Sequence, residues 1–433
     1  MNEPWCVIGA GPCGLAAAKN FLAMNIPVEV FDRHNDVGGN WYLNQAASSV
    51  YASAHLISSK SQTEFVDFPM PAHYPAYPSQ RQVHDYLRGY ADHFQLRPHI
   101  RFETSIERIV PAEQGWHVQV AGETAPRRYA GVVVANGHHW DPNWPSYPGH
   151  FAGQSLHARD YKTPELLHGQ RVLVVGAGNS GCDIAVEAAE HAQAALISMR
   201  RGYHFLPKFL RGKPIDVCGE TLHRWGLPLW LRRAVAGAMI RVAVGPLENF
   251  GLPNPTHRLF ETHPIVNSQL LYHLGHGHVR VKPDIAEFCG DGVRFVDGSE
   301  EALDVIIYAT GYKLSFPFID PDLILNEQGQ PRLYLNAYHP QRNDLLVAGL
   351  IQPDSGIWGL ADLQCRLMAR YVRGLADAPA SVAWFGRIKS QGRVDLGHGV
   401  QYVNTPRHAL EVEYFSYRQR LKKLLRRMGD RSL

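Results

Sequence analysis

The chain opens on a pattern of apolar runs that alternates short strands with a helix. Residues 5–8 predict a buried strand, Leu15–Met24 predicts a helix, and Val28–Phe31 predicts a second strand. The turn between the first strand and the helix is rich in glycine, with Gly9, Gly11 and Gly14. A strand, a glycine-rich turn and a helix in this order are typical of a dinucleotide-binding unit.

The same pattern recurs in the middle of the chain. An apolar run at Val172–Val175 leads into a second turn that carries Gly176, Gly178 and Gly181, with a predicted helix to about Ala192. A strand is predicted at Ala195–Met199. One such loop is weak evidence, but two in the same context predict a protein that holds two dinucleotides face to face.

The remaining pattern predicts an α/β protein with two Rossmann-like domains, the second inserted into the first. Apolar spacing predicts a helix over 81–94, paired strands within 101–120, buried strands at 129–135 and 305–308, a hairpin at 293–304 and a helix over 360–373. Residues 50–80 predict a loop, and 202–285 predict irregular chain with helical pieces. We place the first domain at 1–165 with 305–433, and the inserted domain at 166–304.

The residues that end each second strand distinguish the two predicted sites. Asp32 stands 18 residues after Gly14, where a carboxylate can accept both ribose hydroxyls of FAD or NAD. Arg200 and Arg201 stand 19 and 20 residues after Gly181, where guanidinium groups suit a 2′-phosphate. The first site is therefore interpreted as an FAD site and the second as an NADPH site, with two surface arginines as the alternative interpretation of the pair.

Composition and charge exclude several partners. The 433 residues are 45% hydrophobic and 19% charged, and a net charge of +3 without a basic block gives no indication of nucleic acid binding. Six scattered cysteines form no CxxC pair, which favours a reduced, cytoplasmic protein. The apolar stretch 227–244 contains three arginines, so no transmembrane segment is predicted. We expect the basic amphipathic pattern at 417–427 to form a solvated helix face rather than a membrane contact.

A third motif precedes the second glycine turn. Phe151, Gly153, His157 and Tyr161 form the pattern FxGxxxHxxxY. This pattern resembles the identifying motif of the flavin-containing monooxygenases, and the chain looks like a soluble, bacterial-type member. Further pieces resemble the same family over nearly the whole chain, namely residues 37–41, 67–69, 178–185, 309–312, Gln352-Pro353 and Gln364.

The resemblance implies an enzyme with two cofactors and a defined cycle. NADPH reduces FAD, dioxygen adds at flavin C4a, and the hydroperoxide oxygenates a soft nucleophile such as an amine or a sulfide. The implied FAD contacts are Gly9, Gly11, Pro12, Cys13, Gly14, Asp32, Gly39, Asn40, Trp41, Ser58 and Gln352. The implied NADPH contacts are Gly176, Gly178, Asn179, Ser180, Gly181, Arg200 and Arg201. His157 is interpreted as a structural residue rather than a proton carrier.

One position departs from the family pattern. Members commonly carry Asn in the segment that follows the flavin loop, and Ile57 occupies that place here. No catalytic residue is assigned with certainty, and the flavin-proximal candidates are His55, Ile57 and Ser58. Because Ile cannot hydrogen-bond, either His55 or Ser58 substitutes, or the oxygenated flavin is shorter-lived. We expect appreciable uncoupling, in which NADPH is oxidised and peroxide is released.

Two other functions stay open at this point, and a third is excluded. A Baeyer–Villiger oxygenase acting on ketones shares both nucleotide folds but typically carries Trp at the end of the third motif, where this chain has Tyr161. A non-catalytic dinucleotide-sensing module is the second alternative. A disulfide reductase would need a cysteine pair that the chain lacks.

Two sets of side chains in the middle of the chain carry no assignment. We interpret the aromatic residues of 202–285 as core, with a channel lining or a homodimer interface as alternatives; they are Tyr203, Phe205, Trp225, Trp230, Phe250 and Phe260. We interpret His273, His276 and His278 as loop residues rather than metal ligands, because no carboxylate or thiol stands near them in the sequence.

Overall fold

The structure is a computed structural model that describes residues 3–45, 47–403, 405 and 408–430, without the side chain of Arg224. It divides into two compact units. The first unit contains Met1–Gln45, Lys60–His138 and Leu314–Leu433, and the second contains Ala46–Ser59 and His139–Lys313.

A parallel five-stranded sheet forms the centre of the first unit. Its strands lie in the order Leu345–Val347, Gly131–Val134, Trp5–Ile8, Val28–Phe31 and Ile100–Arg101. A three-stranded antiparallel sheet accompanies it, formed by Ile106–Pro111, Trp116–Val120 and Arg127–Tyr129. The helices of this unit are Pro12–Ala23, Lys60–Thr63, Gln80–His93, Trp358–Asp377, Pro379–Lys389 and Tyr414–Arg427.

The central strands are short and fully apolar because both faces of a parallel sheet are covered. Trp5–Ile8 and Gly131–Val134 are buried along their whole length. The helix Gln80–His93 begins at a capping box, in which the Ser79 side chain and Gln82 satisfy each other's backbone N–H groups. Its buried face carries Val83, Tyr86, Leu87 and Tyr90, in agreement with the predicted spacing.

A second parallel five-stranded sheet forms the centre of the second unit. Its strands lie in the order Gln154–His157, Val305–Tyr308, Arg171–Val175, Ala194–Ser198 and Val279–Lys282. A four-stranded sheet adjoins it, in the order Glu300–Ala302, Gly292–Phe295, Ile285–Gly290 and Gly149–Phe151. The helices of this unit are Asn179–His191, Ile215–Arg224, Leu229–Val244 and Gln269–Gly275.

The bounds of the two units differ from the domain bounds predicted from the sequence. Residues 166–304 lie within the second unit, but that unit also takes 139–165, 305–313 and 46–59. The reason is strand pairing, since Val305–Tyr308 lies between Gln154–His157 and Arg171–Val175 and is hydrogen-bonded to both. A boundary at 165 or 305 would cut through this sheet.

The 202–285 region contains three α-helices, two small two-stranded sheets and the edge strand Val279–Lys282 of the central sheet. Phe205 is buried, as a core residue would be, but the core interpretation is wrong for Trp225 and Trp230, which are 69% and 70% exposed. Both belong to a part of the unit where the helix Leu229–Val244 buries none of its described residues. No helix in the described part of the chain is long and apolar enough to cross a membrane.

Candidate cofactor sites

The first glycine loop (Gly9–Gly14) joins the strand Trp5–Ile8 to the helix Pro12–Ala23. Gly9 has a φ of +109°, and a Cβ there would lie 2.5 Å from the Ala135 carbonyl oxygen. A Cβ on Gly14 would overlap the carbonyl oxygen of Gly9, so only glycine lets the helix pack this closely on the strand. Gly11 is the N-cap residue, and no described side chain caps the helix. The N–H groups of the first turn are therefore available to an anion.

The second glycine loop (Gly176–Gly181) repeats this geometry. Gly176 has a φ of +103°, and a Cβ there would lie 2.6 Å from the Ala309 carbonyl oxygen. A Cβ on Gly181 would overlap the carbonyl oxygen of Gly176, and the helix Asn179–His191 again begins at a glycine, Gly178, with no described side-chain cap. Two loops with the same backbone and the same uncapped helix are two candidate sites for phosphate groups.

Equivalent hydrogen bonds show which residues correspond at the two strand ends. The N–H of Gly9 donates to Phe31 and the N–H of Gly176 donates to Ser198, at 2.8 and 2.9 Å. The next residues are therefore Asp32 in the first unit and Met199 in the second, followed by Arg200. Counting from the glycines alone predicts that Arg200 and Arg201 occupy the position equivalent to Asp32. The register shows instead that an apolar Met replaces the carboxylate and that the arginines follow it.

Asp32 is fixed against the first glycine loop. It is 6% exposed, and its Oδ2 accepts the Ala10 N–H at 2.7 Å. Its Oδ1 accepts the backbone N–H of His34 at 2.9 Å and lies 2.7 Å from His34 Nδ1. A carboxylate oxygen has two lone pairs, so Oδ2 keeps one acceptor position for a sugar hydroxyl.

The arginines of the second unit differ in their surroundings. Arg200 is exposed. The Arg201 guanidinium lies 5.5 Å from the centre of the Tyr203 ring, and its Nε is 3.4 Å from the Tyr203 hydroxyl. Arg201 is therefore partly engaged by an aromatic neighbour, and Arg200 is the better placed of the two for a dianion in solvent.

The turn Gly39–Trp41 covers the first glycine loop. The N–H of Gly38 donates to the Ala10 carbonyl at 3.1 Å, and a Cβ on Gly39 would lie 2.8 Å from Gly11 Cα. The two glycine backbones are thus in contact, which explains why both positions lack side chains. Trp41 packs edge-to-face on Trp358 with ring centres 6.4 Å apart, so the helix Trp358–Asp377 anchors this turn.

The C-terminal part of the first unit closes on the same loop. Gly349 contacts the Cys13 side chain, and its N–H donates to the buried Gln364 Oε1 at 3.1 Å. Burial raises the pKa of Cys13 to about 12, which makes this thiol an apolar packing group rather than a nucleophile. Gln352 donates through Nε2 to Glu411 at 3.0 Å, a bond that uses one of the two N–H groups of the amide and neither lone pair of its oxygen.

The third motif packs and positions the edge of the second sheet. Phe151 lies in the core of the unit, and a Cβ on Gly153 would lie 2.5 Å from both the Asp304 carbonyl oxygen and the Phe151 ring. His157 accepts the Arg159 N–H at Nδ1 (3.1 Å) and donates through Nε2 to the Gly311 carbonyl (3.1 Å). Burial lowers the pKa of His157. Its ring is a neutral imidazole with both nitrogens occupied, as a structural residue requires.

Residues 47–59, here named the bridging segment, carry the flavin-proximal candidates. Lys162 donates to the carbonyl oxygens of Ser48 and Val50 at 2.6 and 3.1 Å, and its own carbonyl accepts the Ala52 N–H. At the other end the N–H of Ser59 donates to Asp216 Oδ2 at 2.6 Å. Burial lowers the pKa of Lys162 to about 8. The segment is therefore held at both ends by the second unit, although it interrupts the first unit in the sequence.

Tyr51 ties the bridging segment to the helix of the second glycine loop. Its hydroxyl donates to Asp183 Oδ2 at 2.7 Å, and Asn267 donates to Asp183 Oδ1 at 2.7 Å. Burial raises the pKa of Asp183, and its two donors partly offset that rise. Ser180 also interacts with the Tyr51 hydroxyl. The first turn of this helix is thus linked directly to the bridging segment.

The candidates within the bridging segment have distinct environments. Ile57 and Ser58 are half-buried, and His55 is exposed with Nδ1 2.8 Å from the Ser53 carbonyl oxygen.

Among the predicted nucleotide contacts, Asn179 has a local role, since its Oδ1 accepts the Val266 N–H at 2.9 Å.

Comparison with known proteins decides the family. The sequence model of the family described as flavin-binding monooxygenase-like matches residues 4–429. Flavin-containing monooxygenase 5 of Homo sapiens is 33% identical over an alignment of 442 positions, which covers 97% of this chain and 82% of that protein. The chain belongs to the flavin-containing monooxygenases. The predicted family is confirmed.

Solved structures share the fold of this monooxygenase. The S-oxygenase for S-allyl-L-cysteine from Allium sativum superposes with a TM-score of 0.66 at 19% identity, covering 99% of this chain and 88% of that one. The OTEMO complex with FAD and NADP gives a TM-score of 0.72 at 18% identity, covering 98% of each chain. At these identities the likeness concerns the fold, and the predicted α/β class is confirmed.

Family membership establishes the kind of reaction. The monooxygenase is an oxidoreductase that acts with O2 on a small molecule, and its cofactors are FAD and NADPH. The predicted enzyme class and cofactors are confirmed, and the non-catalytic sensing module is set aside. The residues also fit such cofactors, because both glycine loops leave a helix N-terminus uncapped by described side chains and have no room for a Cβ at their first and last glycines.

Sequence reasoning missed several residues that build these sites. His34 beside Asp32, Gln45 beside Gly39, and Tyr51 with Asp183 carried no assignment. Tyr51 and Asp183 are 132 residues apart, so no local pattern signals their contact. The histidines of 273–278 also approach one another, with His273 Nδ1 3.2 Å from His278 Nδ1, but no group of three metal-binding side chains forms among the described residues.

Proposed function

We propose that this monooxygenase oxygenates a soft nucleophile, the nitrogen of an amine or the sulfur of a sulfide. The observation that carries the proposal is the pair of equivalent glycine loops, whose second strands end in residues of opposite charge. Asp32 stands at this place in the first unit, and Arg200 follows Met199 in the second. Relatives point to the same substrates by name: a dimethylaniline monooxygenase of Macaca mulatta, described as N-oxide-forming, is 32% identical over 441 residues.

In this proposal the first unit binds FAD and the second binds NADPH. The proposed FAD contacts within the first unit are the first glycine loop, Asp32, the turn Gly39–Trp41 and Gln352, and the proposed NADPH contacts are the second glycine loop, Arg200 and Arg201. Ser58, which the sequence also predicts as an FAD contact, belongs to the second unit. Bound flavin supplies hydride acceptance and oxygen activation. The chain supplies phosphate binding at two helix N-termini, recognition of the sugar at each strand end, and a bridging segment fixed by Lys162 and Asp216.

Oxygenation of ketones is the second candidate. Cyclohexanone monooxygenase superposes with a TM-score of 0.69 at 18% identity, which supports a shared fold. The third motif favours the first proposal, because it ends in Tyr161 and not in the Trp that is typical of Baeyer–Villiger oxygenases. The Tyr161 hydroxyl donates to Glu187 at 2.7 Å, and the next residue, Lys162, holds the bridging segment.

Two further features belong to the proposal. All six cysteines are free thiols, which supports a reducing compartment, and we propose the cytoplasm. The exposed Trp225 and Trp230 support a contact surface, and a homodimer is the proposed assembly.

The substrate class is tested by following NADPH consumption with a tertiary amine, a thioether and a cyclic ketone in parallel, with hydrogen peroxide and oxygenated product both quantified. We expect oxygenated product from the amine or the thioether, formed only when NADPH and O2 are present. Product from the ketone alone would replace the proposal by the second candidate.

Ile57→Asn is expected to lower the fraction of consumed NADPH that appears as hydrogen peroxide. A new hydrogen bond contributes about 0.5–1.5 kcal/mol net, so the fraction should fall about two- to tenfold. The measurement is the ratio of peroxide to NADPH at saturating substrate. Ile57→Val, which adds no polar group, is the matched control and should leave the ratio unchanged. A wild-type enzyme that already forms one product per NADPH would contradict the expected uncoupling.

A further inference from the structure

His84 contacts both flanks of the turn Gly39–Trp41, which is named here the covering turn. Its Nε2 lies 3.0 Å from the carbonyl oxygen of Val37, before the turn. Its ring stacks on Tyr42, after the turn, with ring centres 4.8 Å apart and an interplanar angle of 15°. A Cβ on Gly38 would lie 2.8 Å from the same ring, so the absence of a side chain at this position lets the imidazole lie against the backbone. One side chain therefore holds the chain on each side of the turn.

The contact with Val37 fixes which nitrogen of the His84 ring carries hydrogen. A carbonyl oxygen only accepts hydrogen bonds, so Nε2 must be the donor. Burial lowers the pKa of His84, and the neighbouring Asp36 and Arg88 act on this pKa in opposite directions. The ring is therefore a neutral imidazole at neutral pH, with its single hydrogen on Nε2. That hydrogen is committed to the Val37 carbonyl, so the side chain holds the backbone and does not carry protons.

The helix that carries His84 is anchored by its own core contacts. It spans Gln80–His93, begins at a capping box and buries a face of apolar and aromatic residues. Arg88, one helical turn after His84, lies on the same side and pairs with Asp36 at 3.1 Å. The Arg88 side chain is 52% exposed and that of His84 only 15% exposed, so the histidine makes the contact that is better shielded from solvent.

The covering turn lies on the glycine loop that we propose for the FAD pyrophosphate. The backbone of Gly39 contacts that of Gly11, the N-cap residue of an uncapped helix. The N–H of Gly38 donates to the Ala10 carbonyl of the same loop at 3.1 Å. A ligand that contacts both the helix N-terminus and this turn binds more tightly when the turn is already in place, because no further ordering is then required.

We propose that His84 is a positioning residue for FAD, whose Nε2–H bond to Val37 and stacking on Tyr42 keep the covering turn in its binding arrangement. The inference rests on the proposed FAD site. Both contacts are internal to the chain, so they require no contact between His84 and the cofactor. Loss of these contacts should weaken FAD binding although the glycine loop itself is unchanged.

The test measures FAD affinity by titration of the apoprotein at a temperature well below the Tm of every variant, with circular dichroism as the check on folding. His84→Leu removes the donor and the stacking ring, so it should weaken FAD binding about five- to thirtyfold. His84→Gln restores an N–H donor for Val37 and should bind FAD about two- to tenfold more tightly than His84→Leu. Arg81→Leu, at an exposed position of the same helix, is the matched control and should bind FAD as the wild type does.

The outcomes distinguish positioning from a purely structural role. A residue that only stabilises the fold would lower the Tm and leave the FAD affinity of the folded protein unchanged, and that result for His84→Leu would overturn the inference. Equal losses in His84→Leu and His84→Gln would also overturn it, because the bond to Val37 would then have no effect. So would an equal loss in Arg81→Leu. Failure of the wild-type chain to bind FAD would overturn the proposed function and this inference with it.

Discussion

Gly14→Ala is expected to yield a folded protein that no longer retains FAD. The added Cβ would overlap the Gly9 carbonyl oxygen, so the helix Pro12–Ala23 would have to move away from its strand. Overpacking of this kind costs about 1–3 kcal/mol, and here it falls on the helix N-terminus that we propose as the phosphate-binding site. FAD affinity should drop by up to about 100-fold. The measurement is the ratio of FAD to protein after gel filtration, with circular dichroism as the check on folding.

Two other glycine variants make the result interpretable. Gly39→Ala should also weaken FAD binding, because its Cβ would lie 2.8 Å from Gly11 Cα in the covering turn. Gly89→Ala is the matched control, since its Cβ would meet Phe68 at an ordinary 3.7 Å in the middle of a helix. Full FAD content in Gly14→Ala would show that the first glycine loop does not bind this cofactor.

Arg200→Ala is expected to remove the preference for NADPH over NADH. A hydrogen bond to a charged group contributes about 1.5–3 kcal/mol, so the KM for NADPH should rise about ten- to a hundredfold while that for NADH changes little. The structure strengthens this prediction, because the residue of the second unit that is equivalent to Asp32 is the buried Met199. No carboxylate stands at this position to bind a free 2′-hydroxyl. The measurement is the initial rate of flavin reduction as a function of each nucleotide.

Controls for this prediction come from two other arginines. Arg201→Ala should have the smaller effect, because its guanidinium already lies over the Tyr203 ring. Arg294→Ala, at a surface strand where the residue is paired with Glu287 and Glu300, should leave both KM values unchanged. An equal rise in KM for NADPH and NADH in Arg200→Ala would contradict recognition of the 2′-phosphate.

Local patterns were sufficient to predict the two nucleotide units. The strands Val28–Phe31 and Val305–Tyr308 have the predicted bounds, because buried parallel strands are short, mainly apolar runs that end at polar residues or turns. The helix Trp358–Asp377 is longer than its predicted core of 360–373, since helix ends depend on capping and packing as well as on periodicity.

What could not be predicted depends on contacts between residues far apart in the sequence. The sequence predicts that the first domain resumes at residue 305, whereas Val305–Tyr308 pairs with Gln154–His157 in the second unit, and that pairing leaves no local signal. The assignment of the bridging segment to the second unit depends on Lys162, Tyr51 and Asp216, each hydrogen-bonded to a residue more than 100 positions away. Gln45 carries no motif, and only its burial beside Gly39 draws attention to it.

The central claim is that the two equivalent glycine loops bind different cofactors, and anaerobic addition of NADPH to FAD-loaded Gly181→Ala tests it most directly. In this variant the Cβ would overlap the Gly176 carbonyl oxygen, just as the Cβ of Gly14→Ala would overlap the Gly9 carbonyl oxygen in the first unit. We predict a protein that retains one FAD per chain, whose oxidised-flavin absorbance is bleached by dithionite but not by NADPH concentrations that bleach the wild type. Loss of FAD from Gly181→Ala, or reduction by NADPH as in the wild type, would contradict the claim.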